Sequence, residues 1–536
     1  MNRYAIVSVW DKTGILPLVQ ELCSRGVKIL STGGTAKHLE QNGIEVVPVS
    51  SYTGHPEIMD GRVKTLHPKV HGGILARRDR DDDTASLNEV EAGYIDYVVV
   101  SLYPFLDKVN EVEAAANPKH ESLVEFIDIG GPTMLRAAAK NCKDVTAICR
   151  PSDYQRVIDE LRADGEVSLA TRRLLAARVF ATMSAYDGAV ARYFSLNESL
   201  LDENGAPHEL APFITFALER DSTLRYGENP HQDAGLYRLV SVGDKGTKAP
   251  WELLQGKEIS YNNLLDMQGA LGIFLEVWSG NPGLETAVII KHSNPCGVAV
   301  RGNILDAFKE ARSCDPLSAF GGIIALSGTV DVDLVQVMLE GFIEVVLASD
   351  YTAQALEEFK KKKNVRVIKC DFASLTAQAK ADSLSIRNAF GDYLVQTGDA
   401  VLKSLDEAEV VSELKPSDNM QADLRLAWQI CKHVKSNTIV IVKDGKAIGV
   451  GAGQMSRVDA ANFALQRAKT HGHDPVGSVA ASDAFLPFSD TLEVLNDGGV
   501  AALIQPGGSI KDEDVVAAAN SRKMVMLLTG ERHFRH

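Results

Sequence analysis

The feature that most constrains this fold is the rhythm of residues 1 to 150, where short apolar runs alternate with polar or helical spacers. YAIVSV opens the series, and VKIL, IEVVPVS, YIDYVVV (94–100) and DVTAIC (144–149) continue it. Between the first two runs, Ile15, Leu18, Val19 and Leu22 recur at helical spacing, with Asp11 ahead as a cap and Gly26 behind as a stop. Pro17 is tolerated in the first turns of such a helix. Strand–helix alternation of this kind predicts an α/β fold with a parallel, doubly wound sheet and ligands at the carboxyl ends of its strands. The polar loops fall at those ends: STGG follows VKIL, and SLYPF follows YIDYVVV.

A chain of 536 residues is too long for one ordinary core. A helical pattern over roughly 167–195 runs into NESLLDENGAPHELAP, a polar stretch with proline and glycine. This marks a boundary near residue 200 and predicts domains of 1–198 and 199–536. The second region shows a weak internal duplication: ETAVIIKHSNPCGVAV and SNTIVIVKDGKAIGVGAG both read strand, polar turn, strand, each ahead of a helical segment. KKKKN (360–364) is a dense charge run.

Composition narrows the function. A formal net charge of −15 argues against general nucleic-acid or anionic-membrane binding, which needs a broad positive field. Against that background, GRVKTLHPKVHGGILARR (61–78) gathers Arg62, Lys64, His67, Lys69, His71, Arg77 and Arg78. It reads as a nucleic-acid patch, a solvated surface, or a pocket for a small phosphorylated anion. The seven cysteines are scattered and form no C-x-x-C, so reduced thiols are expected rather than a disulfide framework or zinc cage. No run of 18 apolar residues occurs, and MNRYAIVSVWDKTG lacks an apolar segment leading to a cleavage site. A cytoplasmic location is expected.

Several loops carry chemistry. STGGTAK (31–37) lies between a strand and a helix, where glycines let backbone N–H groups approach an anion and the helix N-terminus adds positive potential; the same string also reads as a plain tight turn. IDIGGPTMLRAAAKN (127–141) offers Asp128, a Gly-Gly turn and Lys140, and Tyr103 stands at a strand end. In the second region KHSNPCG (291–297) ends the apolar run AVII, so Lys291 and His292 stand where buried sheet meets loop, a position suited to acid–base work. LRYGENPHQ, SYNNLLD, DPLSAFGG, KSNTIVIV and GAGQMSR are further polar-glycine segments, and RHFRH reads as a frayed basic tail.

Taken in order, SVWDKTG, STGGTAK, GRVKTLHPKVHGGILAR, LYPF, IDIGG, RAAAKN, LRYGENPHQ, KHSNPCG, DPLSAFGG, SNTIVIV, GAGQMSR, SDAFLPF and RHFRH resemble the bifunctional purine biosynthesis family that joins AICAR transformylase to IMP cyclohydrolase. The match spans essentially the whole chain. It implies an N-terminal domain similar to methylglyoxal synthase, a C-terminal domain of two cytidine-deaminase-like units, and a homodimer with transformylase sites at the subunit interface. The deaminase zinc signature does not carry over: Cys296 follows a proline without a P-C-x-x-C, and the H-x-E at His55 to Glu57 lies in the other domain. The expectation is therefore no catalytic metal and no tightly bound cofactor.

The resemblance also implies roles. Formyl is transferred from 10-formyltetrahydrofolate, a cosubstrate, to AICAR; the formyl-AICAR formed then closes to IMP with loss of water. His292 fits as the base for the AICAR amine, and Lys291 as the cation at the tetrahedral oxyanion or proton donor to the leaving folate nitrogen. Arg225, Lys363 and Arg532 would hold the nucleotide phosphate, with Tyr226 and Asn263 helping. Asn437, Arg457, Phe534 and His536 would orient the base and carboxamide, and Gly321 and Glu344 would lie towards substrate. Lys64, Tyr103, Asp128 and Lys140 match the cyclohydrolase catalytic set. Ser8, Lys12, Ser31, Thr32, Gly33, Gly34, Thr35, Arg62 and Thr65 match its nucleotide pocket. Two departures adjoin that pocket: Trp10 replaces an expected small residue, and Ser101 an asparagine before LYPF. Two alternatives remain at this stage, a zinc deaminase-like enzyme and a transformylase whose N-terminal domain only senses nucleotide.

Overall fold

The computed structural model describes residues 2–103, 105–113, 120–196, 210–240, 249–380, 384–399, 402 and 405–536. The expected boundary between 198 and 199 lies outside the described residues. The chain divides into two compact units, Met1–Ser222 with Leu236–Lys248, and Thr223–Gly235 with Ala249–His536.

The first unit is built on five strands: β1 (Arg3–Val9), β2 (Lys28–Ser31), β3 (Val46–Pro48), β4 (Tyr94–Ser101) and β5 (Thr146–Ile148). All pair in parallel, in the order β3-β2-β1-β4-β5. Alternate residues of each strand face opposite sides. Ala5, Val7, Val9, Ile29, Tyr97 and Val99 pack with helices Ile15–Ser24 and Tyr154–Asp164. Ile6, Leu30, Val98 and Val100 pack on the other face with helices Pro68–Leu75, Gly130–Lys140 and Leu169–Leu196. The sheet is doubly wound, and its strand order reverses direction at β1 and β4, the place where such sheets open a crevice.

β6 (Leu218–Leu224) and β7 (Ala234–Leu239) form a two-stranded sheet. The second unit follows with β8 (Trp251–Gln255), β9 (Glu285–Lys291), β10 (Asn294–Arg301), β11 (Gly322–Val330), β12 (Ile343–Tyr351) and β13 (Arg366–Cys370). After the hairpin β14 (Leu384–Ala389) and β15 (Asp392–Thr397) come β16 (Glu409–Val410), β17 (Ile439–Lys443), β18 (Lys446–Gly451), β19 (Val479–Ser482), β20 (Ala502–Gln505) and β21 (Val525–Leu528). One twelve-stranded sheet runs β16-β21-β20-β19-β17-β18-β10-β9-β11-β12-β13-β8. Read inwards from either edge, the roles are the same: a short antiparallel strand, three parallel strands, and a hairpin, with β10 and β18 joining the halves. The duplication expected from two short patterns therefore extends over both halves of the sheet. Helices Tyr261–Gly280 and Asp418–Cys431 share one core that covers one face of both halves, whereas the opposite face has a separate core in each half.

Strand directions place one rim of this sheet at the site. β9 is antiparallel to β11, and β11 to β13 run parallel, so the end of β9 shares a rim with the starts of β11, β12 and β13. Through the antiparallel pairs β9–β10, β10–β18, β18–β17 and β17–β19, that rim continues to the start of β17 and the ends of β18, β19, β20 and β21.

Candidate active sites

In the first unit a cavity of about 620 Å³ opens at the carboxyl ends of β1, β2 and β4, lined by Ser8, Thr32, Arg62, Lys64, Thr65, Tyr103 and Asp128 among others. The helix Gly33–Gln41 begins at its edge with Thr32 as the preceding residue. Gly33 takes φ of +49°, and a Cβ on either Gly33 or Gly34 would point into open space. Bare N–H groups at a helix start form an anion seat. Ser31 and Thr35 do not present their hydroxyls there. Both are buried, Ser31 donating to Val7 O at 2.7 Å and Thr35 donating to Val9 O at 3.1 Å, so they fasten the loop to β1. Lys12 Nζ donates to Trp10 O at 3.3 Å and does not line the cavity.

Asp128 lies just ahead of the helix Gly130–Lys140 and accepts the Gly131 N–H at 2.9 Å. Its own N–H donates to the Tyr186 hydroxyl at 2.8 Å. A Cβ on Gly131 would sit 2.5 Å from Asp128 Oδ2, so a larger residue would displace the carboxylate. Burial pushes the Asp128 carboxyl up, against the pull of Gly131 and Lys64. Lys64 is loosely paired with Glu57 at 3.8 Å. Arg62 is engaged by Glu125 through two oxygens. Burial also raises the Tyr103 phenol; its ring packs on Trp10 at 3.8 Å and on Phe126 at 5.2 Å. The two departures thus touch, because the Trp10 N–H donates to Ser101 Oγ at 2.8 Å. Lys140 ends the helix that Gly130 begins, ten residues and about 15 Å of helical rise away, and is not among the residues lining this cavity. Glu125 and Phe126, from a stretch with no recognisable signal, complete the lining.

In the second unit, Lys291 and His292 line a cavity of about 380 Å³ with Asn294, Cys296, Asp315, Gln454 and Arg467. Lys291 Nζ donates to Phe320 O at 2.8 Å. Cys296 is buried, which pushes its thiol up to about 12 and keeps it neutral. Asp315, in DPLSAFGG, is held by Arg467 and lies 3.2 Å from His471. Neither Asp315 nor Arg467 was singled out by the sequence, although Asp315 lies inside a quoted motif. Among the described residues no group of three or more His, Cys, Asp or Glu is placed to hold a metal ion.

A second cavity on the same rim, about 400 Å³, is lined by Arg225, Tyr226, Lys257, Ser260, Asn263, Glu344 and Arg366. Asn263 donates to Glu344 Oε2 at 3.2 Å while its oxygen accepts the Ser260 N–H in a capping box at the start of helix Tyr261–Gly280. The Arg225 guanidinium stacks on Tyr226 at 4.8 Å. Arg366 is partly desolvated, which lowers its pKa, and donates to Glu258 O in this cavity wall; nothing in its sequence marked it. Gly321 adjoins the start of β11 with φ of +74° and donates to Phe342 O at 2.7 Å. Lys363 follows the short helix Lys360–Lys362 and is exposed.

The terminal tail is docked rather than frayed. His533 N–H donates to Asp483 O at 3.1 Å, Arg535 N–H to Ser436 Oγ at 3.0 Å, and Ser436 N–H returns to Arg535 O at 2.9 Å. The tail therefore crosses the ends of β20 and β19 and stops beside Asn437, whose amide donates to Gln454 O at 3.0 Å. Phe534 carries Arg457 at 5.8 Å, Arg532 at 4.8 Å and the His536 ring at 5.6 Å. Burial lowers the Arg457 pKa, and its partner Asp483 is wholly buried at 3.9 Å. Arg532, by β19, and Arg225, by β13, are seven strands apart in the sheet, about 34 Å along it, so one chain cannot bring both to one phosphate.

The family model described as AICARFT/IMPCHase bienzyme matches residues 138–467, and an MGS-like domain matches residues 14–133. Proteins called bifunctional purine biosynthesis protein PurH are similar along the entire chain. Those of Clostridium acetobutylicum and Polynucleobacter asymbioticus are 45% and 44% identical, each covering 100% of both chains. That of Magnetococcus marinus is 44% identical, covering 100% of this chain and 99% of its own. With an MGS-like doubly wound unit ahead of a duplicated sheet, and with identity of this level over the full length, the chain belongs to the AICARFT/IMPCHase bienzyme family.

Proposed function

We propose that the two reactions of this bienzyme are divided between residues 1–198 and residues 199–536, with the cyclohydrolase in the first and the transformylase in the second. The chain is a bifunctional enzyme of purine biosynthesis. It transfers formyl from 10-formyltetrahydrofolate to AICAR and cyclises formyl-AICAR to IMP, releasing water. The observation that carries the division is that two cavities with acid–base groups form within separate units, each from its own strand ends.

In the cyclohydrolase, the nucleotide phosphate sits on the N–H groups of Gly33, Gly34 and Thr35, flanked by Ser8, Thr32, Arg62 and Thr65. Lys12 stands at the margin. The carboxamide nitrogen attacks the formyl carbon; Asp128 accepts its proton and passes it to the oxyanion that Lys64 stabilises. Tyr103 protonates the resulting hydroxyl as it leaves as water, and the former formamide N–H returns its proton to the Tyr103 oxygen as the C=N bond forms. Asp128 must be ionised to act, and burial raises its pKa, so activity should fall on acidification above the usual carboxylate range. Asp128→Asn should remove that acid limb from the kcat–pH profile and lower the plateau; a limb unchanged in position would contradict the assignment.

In the transformylase, His292 removes the proton from the AICAR amine as it attacks the formyl carbon. Lys291 stabilises the oxyanion and supplies a proton to the folate nitrogen. Arg225, Tyr226, Asn263 and Lys363 contribute to the nucleotide grip from one chain of a homodimer. Asn437, Arg457, Arg532, Phe534 and His536 contribute from the other. Gly321 and Glu344 complete the rim. The seven-strand separation of Arg225 and Arg532 supports this sharing. Mixing Arg225→Ala with Arg532→Ala protein tests it. Each alone should be nearly inactive, whereas a mixed dimer contains one intact site and should recover activity. Mixtures no better than their components would exclude a shared site.

A cytoplasmic location is supported by seven free thiols and by the fact that no described helix is long and apolar enough to cross a membrane.

A further inference from the structure

Two turns occupy equivalent places in the halves of the twelve-stranded sheet. His292 and Ser293 join β9 to β10, and Asp444 and Gly445 join β17 to β18. All four residues take positive φ, at 51°, 59°, 51° and 69° in that order. The frames match as well. From helix Tyr261–Gly280, Asp266 Oδ1 accepts the Ser293 N–H at 2.7 Å and the Ser293 hydroxyl at 3.4 Å. From helix Asp418–Cys431, Asp423 accepts the Asp444 and Gly445 N–H groups at 2.9 and 2.7 Å. The lysine before each turn donates across to the loop ahead of the next strand, Lys291 to Phe320 O and Lys443 to Val476 O, both at 2.8 Å.

The contents of the frames differ. Asp-Gly is a favoured pair for a two-residue turn with both φ positive, and glycine reaches that region freely. His-Ser is not such a pair, and left-handed backbone at two successive non-glycine residues persists only where the surroundings impose it. In the second half the brace holds a turn that already prefers its shape. In the first half it holds one that does not, and that turn carries His292. Gly269, one helical turn beyond Asp266, lets the helix come close: a Cβ there would sit 3.2 Å from Ser293 Cα.

We propose that Asp266 is a positioning residue for the transformylase, whose carboxylate holds the His292–Ser293 turn in the left-handed form that presents the imidazole to the Lys291 cavity. This rests on His292 being the base. It acts through the Ser293 backbone and touches no reacting atom.

The test uses the full-length protein with both activities assayed. Asp266→Ala should lower transformylase kcat by about 10- to 100-fold, the scale of a small misplacement of a reacting group, with KM for AICAR and cyclohydrolase activity unchanged. Adding Ser293→Gly lets the turn keep its shape without the brace, so the double variant should recover most of the lost kcat, measured against Ser293→Gly alone. Should Asp266→Ala not yield folded protein, Asp266→Asn reads the same coupling, again with and without Ser293→Gly. Full kcat in the Asp266 variant, or a loss that Ser293→Gly leaves untouched, overturns the proposal. His292→Ala run in parallel separates the two ideas. If it keeps transformylase activity, the identity of the base is wrong; if it is inactive while the Asp266 variants are unaffected, only the brace is wrong.

Discussion

Replacing His292 with alanine is expected to lower transformylase turnover by about 10²–10⁴-fold, the usual range for a lost general base, or about 3–5 kcal/mol of barrier. Formyl-AICAR supplied directly should still close to IMP at a rate near that of the unaltered enzyme. The reason is spatial: His292 lies at the β9–β10 turn of the second unit, and the cavity with Lys64, Tyr103 and Asp128 is built wholly from the first. Lys64→Ala should do the reverse, so that formyl-AICAR accumulates from AICAR and donor while little IMP appears. Loss of both activities in either variant, with the protein still folded, would mean the sites are not separate.

Removing residues 532–536 should abolish transformylase activity and spare the cyclohydrolase. The tail contributes Arg532, Phe534 and His536 to the rim, and the backbone bonds at His533 and Arg535 set their positions. Those few bonds, each worth about 1 kcal/mol net, are a small part of a unit whose shared core runs under both halves of the sheet. Loss of activity should therefore come without unfolding, checked by the cooperative melt of the truncated protein. Arg532→Ala and Phe534→Ala, which leave the backbone bonds in place, should reproduce much of the deficit. A truncated enzyme that transfers formyl at the full rate would show that the docked tail is only a structural strap.

Much of this was legible in the residues. The apolar runs became β1, β2, β3, β4 and β5, because a strand buried on both faces has no polar side to show. The helical pattern over 167–195 became Leu169–Leu196. The strand–turn–strand repeat became a duplicated sheet, and STGG and Tyr103 stand at carboxyl ends as the alternation required. What stayed hidden depends on contacts between distant segments. Ser31 and Thr35 look like phosphate ligands in a polar loop, yet their hydroxyls turn inward to β1, a partner that only the paired sheet supplies. Lys140 shares a motif with Asp128, but a continuous helix carries it to the far end. Arg366 is one basic residue at a strand start, unremarkable until β12 and β13 place it beside Glu344. The family resemblance groups Arg225 with Arg532, and only strand order shows how far apart one chain holds them.

The central claim, one chain with two consecutive and separable chemistries, is tested most directly by supplying the purified protein with AICAR and 10-formyltetrahydrofolate and following formyl-AICAR and IMP together. The account predicts that IMP forms from AICAR with formyl-AICAR as intermediate, that Lys64→Ala protein stops at formyl-AICAR, and that adding His292→Ala protein to that reaction restores IMP. Formyl-AICAR that accumulates with the unaltered enzyme and never becomes IMP would contradict it, leaving a transformylase whose first unit does no chemistry.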